Sequence, residues 1–420
     1  MGSRIFRAHR ESPRSNLYVM MLSGAIWTPI STAMGIYWQI YLTRLGASPF
    51  NIAIIAMCST FVLSFARIFG GYLTDVIGRR KLIVLMTYLV SMCYLAMFFA
   101  STWRTILLAS VFLNMFLLYQ PASEAIIADS TSDDSRGKNY AILNLVPSTL
   151  ILFSPFMAYA AVSRYGIIGG TRVLILLTAI AGFIVGILRT LKLRETIRKQ
   201  DSIELESHSF FGQYRYAFRV IEERMKPLFV FIILLGIVGG LTMMTQLYVI
   251  VYLGENYSVW ATVRFIYLLT FVVLIVPAGV ATDRFGRKKL ITIATTFSVF
   301  STVFLLVAPI GHTRMFLIVY AILGSASWAM MSCSIPSLEA DMLPKNVRGK
   351  AYAILASASS IALGISQLLC GYIYENYGER TPYILSIVLL GAMIIISLKI
   401  WDERYYRRDS CDVEQYDPKV

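Results

Sequence analysis

The sequence predicts an all-α polytopic membrane protein with twelve transmembrane helices in two six-helix repeats and with both termini in the cytoplasm. Three observations predict this class: the composition, the spacing of apolar segments and an internal duplication. Hydrophobic residues make up 57% of the 420 residues and charged residues only 15%. The mean hydropathy of +0.65 is far outside the range of a soluble domain. The net charge of +14 does not indicate nucleic-acid binding, because the basic residues lie in loops between apolar segments.

Twelve apolar segments have the length of about 20 residues that is needed to cross a bilayer core of about 30 Å. In the first half they lie near residues 17–42, 50–76, 81–101, 105–128, 139–163 and 168–190. In the second half they lie near residues 227–253, 259–282, 288–308, 314–340, 350–375 and 381–401. The predicted organisation is a cytoplasmic tail, a six-helix bundle, a cytoplasmic linker, a second bundle and a second tail, at residues 1–16, 17–191, 192–226, 227–402 and 403–420.

The distribution of basic residues predicts the orientation. Most of the 38 Lys and Arg residues fall on one side of the membrane if both termini are cytoplasmic, as the excess of positive charge in cytoplasmic loops requires. Within the linker, apolar residues from Phe210 to Met225 recur at helical spacing against arginines. This stripe predicts an amphipathic helix on the cytoplasmic membrane surface, and a docking site for a partner protein is the alternative.

One charged motif occurs twice, at Gly71–Ile83 and at Gly279–Ile291, with eight of thirteen positions identical. Each copy lies between two apolar segments and reads G-x-x-x-D-x-x-G-R-[RK]-K. The spacing predicts a tight turn, in which the aspartate lies where a helix ends, the glycine breaks that helix, and the arginine four residues later can return to the aspartate.

A second motif supports the duplication. Asp129 is followed by Arg136–Ile142 and Asp341 by Arg348–Ile354, and six of the seven residues in the two runs agree. The first motif recurs after 208 residues and the second after 212. Each half of the chain is therefore predicted to be one copy of a six-helix unit.

The first motif closely resembles the loop between the second and third helices of the major facilitator superfamily, which recurs between the eighth and ninth. The resemblance covers nearly the whole chain and implies two parallel repeats around an axis along the membrane normal. It also implies that clusters of paired charges latch the two halves together on the cytoplasmic side when the cavity faces outward. Topology and helix capping alone are the alternative role. The predicted gating residues are Asp75, Arg79, Asp129, Arg136, Asp283, Arg287, Asp341 and Arg348.

The same resemblance implies a substrate cavity lined mainly by the first helix of each three-helix unit, here spans 1, 4, 7 and 10. Polar residues in spans 1 and 7 recur on one helix face, at spacings of three and four residues. Small and polar residues also mediate ordinary helix packing in membranes, which is the alternative for each of them. The cavity candidates are Thr28, Thr32, Gln39, Asn114, Gln120, Thr242, Gln246 and Trp328.

Two ionisable residues inside the spans are candidates for coupling, because an intramembrane charge is a functional candidate by default. Glu124, five residues inward from Asp129, is the candidate for proton coupling, and neutralising a cytoplasmic arginine is its alternative role. Arg67 lies two turns inside from Asp75, and its repeat position is Ile275. It either holds an anionic substrate or pairs with an acid of a neighbouring helix.

The leading functional prediction is a secondary transporter that moves a small, neutral or weakly polar organic solute by alternating access, with protons as a candidate coupling ion. Efflux antiport of drugs or metabolites is an alternative. The fifth span lacks the glycine framework, and the fourth lacks the central arginine, that antiporters of the superfamily often carry. A sensor that kept the fold without transport is the alternative of a different class.

The sequence predicts neither an enzyme nor a metalloprotein. The three histidines fall outside the predicted spans, and the chain has no H-E-x-x-H sequence, phosphate-binding glycine loop or Cys/His cluster. We expect no catalytic residue, no metal and no cofactor. The expected partners of a monomer are membrane lipids and a small-molecule substrate, and the expected location is the plasma or inner membrane.

Overall fold

The computed structural model describes residues 2–131, 143, 145–196, 210–343 and 348–399, which are almost entirely helical and contain no β-strand. Within these ranges, eleven helices are long and apolar enough to cross a membrane. One of them, Leu145–Lys192, has 48 residues, and Gly166 interrupts its helical geometry with φ 71° and ψ 174°. It therefore supplies two spans, and the prediction of an all-α fold with twelve spans is confirmed.

Each span of the first repeat is one long helix or a helix with a short break. Spans 1 to 4 consist of Gly2–Gly35 with Trp38–Arg44; Pro49–Ile77; Arg79–Phe98; and Trp103–Phe116 with the 3-10 turn Leu117–Tyr119 and Gln120–Asp129. Span 5 runs from Leu145 through the 3-10 turn Ile151–Phe153 to the break at Gly166, and span 6 continues to Lys192.

The helix Phe210–Arg224 precedes the second repeat. Its residues Ala217, Val220 and Ile221 are buried against the apolar core of spans 7 and 11, while Phe218 is 48% exposed. Spans 7 to 12 consist of Lys226–Leu241 with Thr245–Leu247 and the π-helical turn Tyr248–Tyr252; Tyr257–Phe285; Arg287–Leu306; Arg314–Met342; Arg348–Asn376; and Thr381–Lys399.

The two copies of the repeated motif form the same turn. Gly78 separates span 2 from span 3, and Gly286 separates span 8 from span 9, with φ angles of 92° and 89°. Glycine adopts a positive φ without the steric cost that a side chain brings. This conformation explains why the motif has a glycine at that position in both halves.

The chain divides into two compact units. The first is drawn from Met1–Glu206 and Met244–Phe265, and the second from Ser207–Met243 and Ile266–Val420. The first unit therefore contains spans 1 to 6 together with the adjoining ends of spans 7 and 8. The second unit contains the remainder of those two spans and spans 9 to 12.

Close helix packing in the first unit depends on Gly182 of span 6. A Cβ atom at this position would clash with the side chains of Trp27 in span 1 and Ser91 in span 3. Trp27 also packs edge-on against Tyr94, with 5.4 Å between the ring centroids. Spans 1, 3 and 6 therefore meet around this glycine. The core of the second unit is formed by apolar side chains of spans 7, 9, 10, 11 and 12, among them Phe231, Leu338, Leu355 and Met393.

Candidate functional site

Spans 1 and 7 are broken at matching positions in the two repeats. In span 1 the helix ends at Gly35 and resumes at Trp38, and in span 7 it ends at Leu241 and resumes at Thr245. A break releases backbone carbonyls from intrahelical hydrogen bonds. Inside a membrane these groups need partners from the protein or from a water-filled cavity.

Gln246 forms hydrogen bonds with backbone groups at the break in span 1. Its Nε2 donates to the carbonyl oxygen of Ile36 at 2.6 Å, and its Oε1 accepts from the backbone N–H of Gln39 at 3.0 Å. Trp260 of span 8 donates its indole N–H to the Ile36 carbonyl as well, at 2.8 Å. Gln246 is only 5% exposed. Its amide is therefore bonded to the backbone of span 1 in this structure.

A pair of tyrosines extends this contact. The Tyr37 hydroxyl donates to the carbonyl oxygen of Tyr257 at 2.6 Å, and the two rings lie edge-on with 5.6 Å between their centroids. All of these residues belong to the first unit. We call the set the span 1–7 contact; it comprises Ile36, Tyr37, Gln246, Tyr257 and Trp260.

Arg67 and Gln120, two predicted site residues, are in direct contact. The Arg67 Nε donates to Gln120 Oε1 at 2.8 Å, so this bond joins the arginine to an amide and not to an acid. Spans 2 and 4 approach closely here, because a Cβ atom on Gly70 would clash with the carbonyl oxygen of Leu118. Glu124, one turn beyond Gln120, has an exposed side chain.

In each unit an arginine of the repeated motif forms an ion pair with the aspartate near the end of span 4 or span 10. The pairs are Arg79 with Asp129, and Arg287 with Asp341. The Arg79 guanidinium also donates to the Thr196 hydroxyl at 2.9 Å. The side chains of the two aspartates are 42% and 43% exposed. Water therefore screens both ion pairs.

The remaining gating candidates are placed differently. The Arg348 guanidinium donates to two backbone carbonyl oxygens at the end of span 10, at 2.6 and 3.1 Å, and so caps that helix. The side chain of Asp283 is exposed. The side chain of Asp75 and the whole of Arg136 lie outside the described residues.

The other cavity candidates lie on spans 1, 4, 7 and 10. Thr28 and Thr32 of span 1 are partly buried. The side chains of Asn114 and Thr242 each donate to a carbonyl oxygen one turn earlier in the same helix, at 2.8 and 2.9 Å. Trp328 of span 10 is 49% exposed. Each of these two hydrogen bonds is made within a single helix.

Sequence reasoning overlooked Arg189 in span 6. This arginine is only 8% exposed. Its guanidinium donates to the hydroxyls of Ser23 and Thr87, at 3.3 and 2.7 Å, and lies 5.5 Å from the centre of the Tyr119 ring. Arg189 therefore joins spans 1, 3, 4 and 6. The available signal was the position of Arg189 inside the predicted span at residues 168–190.

Sequence reasoning also overlooked Glu339 in span 10. This acid lies on a cavity of about 440 Å³ in the second unit. In the sequence, Glu339 lies one residue before the end of the predicted span at residues 314–340, where charged residues are common. The available signal was a break in the internal repeat, because the position that corresponds to Glu339 in the first half is Ile127.

Comparison with known sequences identifies relatives along nearly the whole chain. A family model described as Major Facilitator Superfamily matches residues 17–263 and 258–410. The MFS-type transporter YhjO of Bacillus subtilis (strain 168) is 24% identical over 391 residues, which cover 90% of this chain and 91% of YhjO. The MFS-type transporter MJ1317 of Methanocaldococcus jannaschii is 20% identical over 358 residues, which cover 81% of this chain and 83% of MJ1317.

Solved structures share the fold. The nucleoside transporter NupG is 11% identical with a TM-score of 0.68, and the alignment covers 97% of this chain and all of that chain (100%). A D-xylose-proton symporter is 15% identical with a TM-score of 0.72, covering 93% of this chain and 98% of that chain. At this level of identity the likeness concerns the fold alone.

Proposed function

The chain belongs to the major facilitator superfamily, a family of non-enzymatic membrane carriers, and we propose that it is a secondary active transporter that works by alternating access. The proposed solute is a small organic molecule, and the proposed coupling ion is the proton. The observation that carries the proposal is the bonding of Gln246 to the broken segment of span 1.

Alternating access requires a contact that opens while the helices stay folded. Paired interruptions in corresponding helices of two repeats mark the binding region in many transporters, and spans 1 and 7 have such interruptions. The Ile36 carbonyl is held by hydrogen bonds from Gln246 and Trp260, each worth about 1 kcal/mol net. Opening the span 1–7 contact therefore costs an amount that differential ligand binding can supply.

The predicted orientation assigns opposite roles to the two ends of the spans. The loop between spans 7 and 8 is on the predicted outer side, so we propose that the span 1–7 contact closes that side. The ion pairs Arg79–Asp129 and Arg287–Asp341 are at the predicted cytoplasmic ends. We propose that their charges rearrange to latch the cytoplasmic side when the outer side opens.

The cellular location and the solute class are also proposals. The relatives are bacterial and archaeal MFS-type transporters, which supports a plasma or inner membrane. Nucleoside and D-xylose-proton transporters among the structural neighbours suggest neutral polar solutes as first candidates. An anionic solute is a further candidate. The Arg67 side chain bonds to Gln120 but is exposed, so its guanidinium group can also contact an anion.

Uptake into proteoliposomes tests the proposed function. The purified protein is first screened by thermal shift against uridine, D-xylose, 5-aminolevulinic acid, benzoate and tetraphenylphosphonium. A ligand at 100 times its Kd stabilises the folded state by about 2.7 kcal/mol. Stabilising compounds are then used in labelled form, with and without an inward proton gradient. We expect uptake above that of protein-free liposomes, and more of it with the gradient.

A reversible cross-link tests the alternating-access step. Tyr37→Cys and Tyr257→Cys, in a background without the native cysteines, are joined by a short bifunctional thiosulfonate reagent. We expect uptake to stop on cross-linking and to return after reduction. Uptake that continues in the cross-linked protein would exclude opening at this contact. Ligand stabilisation without uptake would favour the sensor, and release of internal solute against entering protons would favour efflux antiport.

A further inference from the structure

Spans 7, 10 and 11 of the second unit line a cavity of about 440 Å³. Glu339 lies in the last turn of span 10, which ends at Met342. The cavity is therefore near the predicted cytoplasmic ends of these helices. Its polar lining residues are Glu339, Tyr352 and Ser359, and its apolar lining residues include Ile232, Pro336 and Leu355.

Glu339 has no ion-pair partner among the residues that the structure describes. Two arginines at this end of the unit make other bonds: Arg348 to backbone carbonyls at the end of span 10, and Arg287 to Asp341. Span 7 contributes the apolar Ile232, and span 11 contributes Tyr352, the second titratable group of the cavity. The charged residues described at this end of spans 8, 9 and 11 that do not line the cavity include Asp283, Arg284, Lys288, Lys289 and Lys350.

A carboxylate in a largely apolar cavity, without an ion-pair partner among the described residues, loses much of its hydration. Binding a proton makes the side chain neutral and removes this cost. We propose that Glu339 is the proton-binding group that couples proton movement to transport, an inference that rests on the proposed function. A carboxylate oxygen takes the proton from a hydronium ion of the cytoplasmic water, so that one O–H bond forms and one water molecule remains. Release reverses this transfer.

The position of Glu339 connects its charge to the shape of span 10. Pro336 lies inside this helix, one turn before Glu339, and lacks the N–H that would bond to the preceding turn, so the helix is open to bending there. Two residues after Glu339, Asp341 is paired with Arg287. A change of charge at Glu339 therefore acts between a bendable point and an ion pair. Glu124 also lies one turn after a proline, Pro121. It is exposed, however, whereas Glu339 is partly buried beside a cavity, and we therefore prefer Glu339 as the coupling acid.

Infrared difference spectroscopy of the membrane-reconstituted protein tests proton binding without any solute. Acidification should produce a C=O stretching component at the high-frequency edge of the carboxyl band, typical of a protonated carboxyl in apolar surroundings. We expect Glu339→Gln to lose this component and the matched variant Glu124→Gln to keep it. Tyr352→Phe retains the acid and changes its cavity, so the component should remain but shift in frequency or in its midpoint. This second variant decides the matter if Glu339→Gln does not fold.

A component that is unchanged in Glu339→Gln would overturn the proposal, and so would a component unchanged in Tyr352→Phe if Glu339→Gln does not fold. With a solute from the uptake panel, Glu339→Gln should lower gradient-driven accumulation tenfold or more and leave counterflow exchange within twofold. Accumulation at the wild-type level would also overturn it. Loss of the infrared component, combined with no uptake of any solute by the wild type, would contradict the transport function and leave the proton site standing.

Discussion

Gln246 donates a hydrogen bond of 2.6 Å to the carbonyl oxygen of Ile36, and this bond connects the broken segments of spans 7 and 1. The two residues come from different sequence repeats but lie in the same compact unit. Both polar atoms of the Gln246 amide make hydrogen bonds, because its oxygen also accepts from the N–H of Gln39. A single side chain therefore bonds to one backbone group within the break and to one just after it, and its removal should change how readily the contact opens.

Gln246→Leu should destabilise the folded protein by about 1–3 kcal/mol, because it leaves a buried carbonyl and a partly buried N–H without this partner. The expected observation is a lower midpoint of thermal unfolding in detergent. Asn376→Leu is the matched control, since the Asn376 amide is exposed and donates within its own helix at 2.8 Å. Equal shifts for the two variants would contradict the role assigned to Gln246.

Removing either motif arginine should slow transport and scarcely change stability. Arg79→Ala and Arg287→Ala each break an ion pair whose aspartate is about two-fifths exposed (42% and 43%), and such screened pairs contribute at most about 1 kcal/mol to folding. Initial rates of uptake should fall, while the solute concentration for half-maximal uptake stays within a few fold. Arg104→Ala, an exposed arginine at the other end of span 4, is the control. Wild-type uptake rates in both Arg79→Ala and Arg287→Ala would contradict a gating role for these two arginines.

The fold could be predicted because the bilayer imposes its own lengths and charges. Each span needs an apolar segment of sufficient length, and the repeated glycine of the charged motif predicted the turns at Gly78 and Gly286. The break at Gly166 could also be recognised, because the sequence predicts two apolar segments where the structure has one 48-residue helix. These features depend on local sequence, so they can be recognised without tertiary information.

The partners of the site residues could not be predicted in the same way. Periodicity placed Gln39 and Gln246 on matching faces, but the bond from Gln246 to Ile36 depends on a helix break that tertiary packing sets. Arg67 was expected to meet an acid or a substrate, and its Nε binds the amide of Gln120. Glu339 was overlooked because depth along a span says nothing about the cavity that three helices form around it.

Arg189→Lys should destabilise the first unit by about 1–3 kcal/mol. Arg189 bonds to Ser23 and Thr87 through two different nitrogens, Nε and Nη1. A lysine has one compact ammonium nitrogen in place of this planar group, so we expect it to lose one of the two bonds. Thermal unfolding in detergent measures the effect. Arg164→Lys is the control, because Arg164 is exposed and contacts the ring of its neighbour Tyr165 at 5.6 Å. An Arg189→Lys midpoint equal to that of the control would show that one bond is enough.

Two adjacent glycines in span 2 offer the sharpest test of the packing that supports the Arg67–Gln120 contact. A Cβ atom on Gly70 would clash with the Leu118 carbonyl oxygen, whereas nothing lies within 4 Å of a Cβ atom on Gly71. Gly70→Ala should therefore cost about 1–3 kcal/mol through overpacking, and Gly71→Ala should stabilise the helix by up to about 1 kcal/mol. The unfolding midpoints of the two variants should move in opposite directions. If they move together, spans 2 and 4 do not meet at Gly70, and the close approach that brings Arg67 to Gln120 must be sought elsewhere.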